Sequence, residues 1–398
     1  MPLSNHLLRA AAAAALLVAG PVQAEDIVVT GKPLKDTAAD LEECIKRGCP
    51  PNEDMAATLA HAENQFVAGD YHGSRKTLRE SLGRNRKHGK AYPVELSSVL
   101  RANGRVAEHL GEAKSFQIST LDMRDTLKSG LGADDFRTLA AQIEVGDSRA
   151  KLGFPMEADQ IYRDVEKRAL ELKHYRVATF ARLRQAMLAQ NRFEDDPSAR
   201  NRAVLDERLA QMIDSPLPNS DDFVLVAKVL RARKDRKAGS NASTDDLIKS
   251  FAQKGGAARP VLLFAEPLSK IDPWAGQLPV AGGMSNGRNT YSTKSNGQWV
   301  DLGFWIGQDG HVSDVEVLRS SGGVNWAKPV MGNISKRVYA PLRQDGDAAA
   351  GFYMVERYTL VARVTDQVTG THVRVREQRP RIEMIELTAE NNEGKPVG

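Results

Sequence analysis

The side chains able to do chemistry are few, and their spacing points away from catalysis. Cys44 and Cys49 are the only thiols in 398 residues. His61, His72, His88 and His109 fall within one Ala-, Leu- and Arg-rich stretch at intervals that share no helix face, so solvent-facing or capping roles are expected of them. His311 follows a turn glycine, which places it at the surface. Glu356 and Arg357 are neighbours in a strand-like run, where adjacent residues face opposite ways, and cross-strand charge pairing is the expected use of both. Trp299, Trp305 and Trp326 could form an aromatic patch, although packing against a helix accounts for Trp326 more simply. The sequence carries no Gly-x-Ser-x-Gly elbow, His-Glu-x-x-His pair, Walker loop or paired-glycine dinucleotide fingerprint. No second Cys or His pair completes a four-ligand zinc set. Catalytic residues, cofactors and metals are therefore assigned as none, and the chain is read as a non-enzyme.

The two cysteines have a more definite role. Thr37 and Asp40 open a short helical pattern with Leu41, Cys44 and Ile45 on one face, and Gly48 followed by Pro50-Pro51 ends it. With Gly48 as the left-handed residue past that end, Cys44 and Cys49 occupy the two positions that a Schellman turn brings together. A Cys44–Cys49 disulfide is then expected if the chain reaches an oxidising compartment.

Export is what the first residues predict. Arg9 precedes an apolar run from Ala10 to Gly20, and Pro21 with Val22-Gln23-Ala24 forms a small-residue cleavage site. The mature chain would begin at Glu25, cleaved after Ala24, and be periplasmic. The apolar run falls short of the roughly 20 residues that span a bilayer, so contact with a membrane would be indirect. Hydrophobic residues at 41% and charged residues at 27% match a folded globular protein. A net charge of +4 over this length, without basic runs carrying interleaved aromatics, argues against nucleic acid as a partner.

The elements that must position these residues divide the chain at about residues 1–24, 25–51, 52–255, 256–297 and 298–398. Residues 52–255 have apolar positions at helical spacing, predicting an α-helical body. Ala62, Phe66, Gly69-Asp70-Tyr71, Ser74, Leu78 and Ser81, with a weaker copy at Gly146, Gly153, Ala158, Tyr162 and Val165, resemble the tetratricopeptide repeat, a helical hairpin of about 34 residues. Such hairpins stack and leave a groove for protein segments. Residues 256–297 read as a linker. Beyond it the period changes. Val300, Leu302, Phe304 and Ile306 alternate with Asp301, Gly303 and Trp305, predicting a strand with one buried face. Gln308-Asp309-Gly310 turns the chain into a second strand near Val312–Arg319. An amphipathic helix follows, with Trp326, Val330 and Ile334 on one side, then a strand from Phe352 to Arg363 and one or two further strands at Val373–Arg376 and Ile382–Leu387. The fold class is α+β: a TPR-like helical body followed by a small β-β-α-β domain.

Gly303-Phe304-Trp305-Ile306, Asp309-Gly310-His311-Val312, Val315–Val317, Arg319-Ser320-Ser321-Gly322 and Tyr339-Ala340-Pro341 are similar to the TonB carboxy-terminal domain family over about residues 298–398. The resemblance implies a module that binds outer-membrane receptors by strand addition at the edge of its third strand. Here that edge would be Tyr353, Val355, Arg357, Tyr358 and Thr359. Asp26, Ile27, Val28, Val29 and Thr30, at the expected mature terminus, resemble the receptor peptide, the TonB box. They would dock on such a domain, either this chain's own or another protein's. Unlike a TonB energy transducer, the chain has no inner-membrane helix and no Pro-rich spacer. The function expected is therefore that of an exported adaptor at outer-membrane uptake receptors. Its partners would be TonB-dependent receptors or TonB components, with a homodimer through the carboxy-terminal domain as a further option. The alternatives are a cell-envelope enzyme with its site in the helical groove, or a structural dimerisation module.

Overall fold

A computed structural model of the chain describes residues 32–273, 296–343, 351–366, 374–376 and 380–388. The signal segment with Ala24 and Glu25, and the TonB-box-like residues Asp26, Ile27, Val28, Val29 and Thr30, lie outside the described residues. The described part is α+β, a helical body followed by a small antiparallel sheet. Among the described residues no helix is long and apolar enough to cross a membrane.

The first helix, α1 (Leu34–Arg47), ends as its residue types predict. Gly48 is left-handed (φ 65°), Cys49 N–H donates to the Cys44 carbonyl at 3.0 Å, and Gly48 N–H donates to the Ile45 carbonyl at 3.2 Å. These are the two bonds of a Schellman turn. Cys44 and Cys49 lie 5.1 Å apart at Cα with their sulfurs paired as a disulfide.

Ten further helices form the body: α2 (Pro51–Val67), α3 (Tyr71–Asn85), α4 (Pro93–His109), α5 (Ala113–Leu131), α6 (Phe136–Lys151), α7 (Pro155–Glu171), α8 (Tyr175–Asp195), α9 (Ala199–Ile213), α10 (Asp221–Lys237) and α11 (Ala242–Gln253). Each packs against the next. α2 also touches α4, α6 touches α8 and α8 touches α10, so even-numbered helices share a layer. Three hairpins are in strict register. Their left-handed turn glycines, Gly69, Gly111 and Gly153, recur every 42 residues (111 − 69; 153 − 111). Small residues recur with them at the helix approach: Ala62, Gly104 and Gly146, where a Cβ at Gly146 would overlap the Tyr162 ring. This interval is longer than the roughly 34 residues of a tetratricopeptide unit. The two copies visible in the sequence stand two intervals apart, with an intervening copy whose partner side chains differ.

The sheet order is β3-β2-β5-β8, all antiparallel, from β2 (Trp299–Ile306), β3 (Val312–Ser320), β5 (Phe352–Val361) and β8 (Arg381–Glu386). A short helix, α12 (Lys328–Ile334), with Trp326 just before it, covers one face through Val330 and Ile334. That face of the sheet carries Val300, Leu302, Phe304, Tyr358 and Leu360, all fully buried. The expected single buried face of β2 needs correction, because Asp301 on the opposite face is also fully buried. The helical body is what covers it.

Two more short pairings complete the fold. β1 (Leu262–Phe264) pairs with β4 (Val338–Tyr339), and β6 (Val364–Asp366) with β7 (Arg374–Arg376). The first corrects the linker assignment. Leu262 and Leu263 are buried, and Ala257 is bonded to the backbone of Pro341 and Arg343, so this part of 256–297 is built into the sheet module. Residues 274–295 lie outside the described residues.

Candidate functional site

The most densely built region outside the individual cores is the junction where the second face of the sheet meets the helical hairpin turns. Arg357 is its centre. The register sets it directly across from Asp301, and both side chains are fully buried. The guanidinium donates from Nε to Asp301 Oδ1 at 2.6 Å and from Nη2 to Oδ2 at 2.9 Å. Its remaining N–H groups reach into the body, donating to the carbonyls of Phe66 and Val67 at 2.8 Å each. Those carbonyls belong to the last turn of α2, where Phe66 O also accepts from Gly69 N–H at 2.9 Å and where a cation is favoured by the helix dipole. Burial opposes the charge on Arg357, but its hydrogen bonds to Asp301 and its neighbours outweigh that and hold its pKa above the usual arginine value.

The turns receive the sheet through their glycines. The Trp299 indole lies over Gly69, where any Cβ would overlap it, and Arg357 stacks on the same ring with 3.9 Å from Cζ to the ring centroid. Tyr71, the first residue of α3, hydrogen-bonds Thr359 Oγ1 at 3.1 Å. At the next hairpin Val364 N–H donates to the Gly111 carbonyl at 2.8 Å, and the Ala362 carbonyl crosses so closely that a Cβ on Gly111 would strike it. At the third, Arg381 reaches the Lys151 carbonyl at 3.2 Å, but among the described residues nothing lies within 4 Å of a Cβ placed on Gly153.

Between α4, α5, α6 and β8 a cavity of about 60 Å³ remains, lined among others by Arg105, Glu108, His109, Asp147, Lys151 and Glu383. Most of these charges are engaged. Lys151 pairs with Glu108 at 3.0 Å, Arg101 with Glu144 at 2.8 Å, and Asp147 accepts from Tyr162 at 2.6 Å. His109, for which a solvent-facing or capping role was expected, is instead 3% exposed, edge-on to Phe66 with ring centroids 5.0 Å apart. Among the described residues its Nδ1 has no hydrogen-bond partner. Burial pushes its pKa down to about 3, opposed by Glu108 and reinforced by Lys151, Arg105 and Arg357. Among the described residues no three His, Cys, Asp or Glu side chains converge as metal ligands.

The proposed peptide-binding edge requires correction. Tyr353, Val355, Arg357, Tyr358 and Thr359 do share one strand, but β5 lies inside the sheet, bonded to β2 along its length and to β8 from Glu356 to Val361. Val355 is taken as well, its carbonyl accepting from Leu387 N–H at 2.7 Å and its N–H donating to Thr388 Oγ1 at 3.1 Å. Tyr353 and Val355 are half-buried and the other three buried; the Tyr353 ring lies tilted against Trp305 and its hydroxyl donates to Glu316 at 3.0 Å. The physical reason is that the last strand has enough apolar surface, in Ile382, Met384 and Ile385, to pair as a fourth member rather than trail away. On the opposite face from Arg357, Glu356 is buried with Arg337 at 2.8 Å, and Arg337 donates to Tyr358 Oη at 2.7 Å. Charge pairing is thus the use of both Glu356 and Arg357, and His311 is exposed as expected.

Sequence reasoning missed the Trp299–Gly69 contact, buried His109, and an exposed pair at the third turn, Phe154 (48% exposed) and Met156 (79%). The 42-residue register was the available signal for Phe154 and Met156. No family model, curated protein or solved structure matches this chain.

Proposed function

We propose that this protein is an exported periplasmic binding protein or adaptor. In this reading its TPR-like hairpin body offers the partner surface, and its TonB-like carboxy-terminal domain is held on that body as a fixed cap. The observation that carries the reading is the docking of the sheet on the hairpin turns. Gly69 and Gly111 accept an indole and an extended backbone at close quarters, so the row of turns is already a surface that engages protein segments. Stacked hairpins present such repeated sites at regular intervals. Partners at outer-membrane uptake receptors, TonB-dependent receptors or TonB components, follow from the family resemblance and the residue 26–30 segment. Strand addition at β5 is not part of the proposal.

The charged cleft beside His109 is the feature that favours the alternative of an enzyme, but a cavity of about 60 Å³ accommodates a few waters rather than an organic substrate. The test uses residues 25–398 as bait on detergent-solubilised cell envelope, beside the same chain lacking residues 25–31. Recovery of outer-membrane receptors or TonB components, weakened by the deletion, supports the adaptor reading. Their absence above background from both baits refutes it.

A further inference from the structure

The three in-register hairpins differ at one place. The residue before the second helix is Asp70 in the first, Glu112 in the second and Phe154 in the third; two positions on stand His72, Lys114 and Met156. Two polar positions have thus become apolar only at the turn the sheet does not cover. Gly153, Phe154, Pro155, Met156 and Glu157 form one exposed run, whereas Gly69 is covered by Trp299 and Gly111 by Ala362. The change works against folding. Asp70 caps α3 by accepting from Gly73 N–H at 2.8 Å, whereas neither Glu112 on α5 nor Phe154 on α7 makes a side-chain cap. An apolar cap residue is less stable than Asp by about 1 kcal/mol. Phe154 and Met156 stand on this turn as an exposed apolar pair with no capping role, which marks it as a candidate contact surface.

The occupant can be inferred from what the other two turns hold. At Gly69 it is a Trp side chain laid over the glycine, and at Gly111 it is an extended strand that donates an N–H to the turn carbonyl. The third turn has the same left-handed glycine, with φ of 92° beside 85° and 73°, and continues the interface that ends at the Arg381–Lys151 contact. We propose that the Gly153 turn, with Phe154 and Met156, is the docking site for an extended segment of a partner protein bearing an aromatic side chain. In that complex the aromatic ring lies over Gly153 against Phe154 and Met156, and a partner N–H donates to the Gly153 carbonyl. The proposal rests on the binding reading above and assigns it a location.

The test uses the full mature chain with ¹³C-methyl methionine and capped heptapeptides of alternating Thr and Val that carry either Trp or Ala at the centre. The Trp peptide is expected to shift the Met156 methyl resonance saturably, and the Ala peptide to bind at least about tenfold more weakly. The double variant F154D/M156K, which installs the residue types of the earlier turns, has no Met156 methyl, so peptide binding to it and to the parent chain is compared by isothermal titration calorimetry, and the Trp-peptide binding heat seen with the parent is expected to be lost. No saturable shift up to about 1 mM peptide, or a response that survives the double variant, overturns the proposal. Envelope partners captured equally by the double variant would overturn this location while leaving the adaptor reading intact.

Discussion

Replacing Arg357 by Met is the sharpest perturbation of the junction. Methionine keeps most of the aliphatic stem but removes four hydrogen bonds, two to Asp301 and two to the α2 carbonyls of Phe66 and Val67. Asp301 would remain fully buried, with Arg319 at 2.8 Å as its other cation, and Arg319 is about half exposed. Removing one partner of a buried pair costs about 3–5 kcal/mol. The surviving Arg319 contact places R357M at the lower end, about 3 kcal/mol, with the lost stacking on Trp299 included. Because Arg357 belongs to both the sheet and the body, the loss should fall on their coupling. Denaturant unfolding followed by Trp fluorescence and by helical circular dichroism should give one coincident transition in the wild type and separated transitions in R357M. The double variant D301L/R357M removes both charges and should recover about 1–2 kcal/mol relative to the sum of the singles, a coupling that a double-mutant cycle measures. If R357M unfolds in one transition and costs less than about 1 kcal/mol, the buried pair does not join the two parts.

Two further outcomes follow from buried groups. His109 stays neutral in the folded chain down to about pH 3, whereas an unfolded histidine takes up its proton near 6.5. Stability should therefore fall as pH drops below 6.5, by about 2–3 kcal/mol at about pH 4.5, and go on falling until the folded value is passed. H109F, which loses no Nδ1 hydrogen bond, should lack that increment, and equal acid dependence of the two proteins would refute the assignment. Reducing Cys44–Cys49 opens a loop of sequence separation 5, a loss of about 2 kcal/mol on loop entropy alone. Hydrogen exchange should quicken in α1 while α4–α8 keep their protection, and uniform quickening would show that the bridge supports more than its own helix.

Local chemistry was readable from residue types and long-range docking was not. The Schellman turn at Gly48 and the Asp309-Gly310 hairpin depend on residues within a few positions of each other, so their residue types specify them. Cross-strand charge pairing of Arg357 followed from strand alternation, but its partner Asp301 is set by the β2–β5 register, which the sequence does not show. By contrast, nothing in the spacing of Phe66, Gly69 and Tyr71 reveals that residues almost three hundred positions later lie against them. The same applies to β8, whose Ile382, Met384 and Ile385 mark a strand but not its neighbour. His109 went unrecognised as buried because its burial depends on the sheet covering the end of α4. The repeat length was misjudged for a different reason. Ser74 and Ala158 match across two intervals, but the position between them is Phe116, so the middle hairpin lacks the small residue that marks the other two.

How the sheet edges are closed bears on where a partner can bind. An open edge invites strand addition, and folded proteins suppress it with bulges, charges or a cover. β3 shows the first two devices: Asp314 is left-handed at φ 52°, the pairing with β2 slips at two places, and Asp314, Glu316 and Arg319 are exposed along it. β8 shows the third, since Arg381 bonds α6 and Ile385 and Leu387 pack into the core of the first hairpins. A straight peptide cannot lie along β3 without meeting its slips, nor along β8 without displacing helices. Among the described residues the exposed apolar positions that are not already serving the sheet are mostly in the helical body, and those at Phe154 and Met156 sit in a turn whose two counterparts hold protein. A partner that binds this protein through main-chain and aromatic contacts therefore meets fewer obstacles at the hairpin turns than at the sheet.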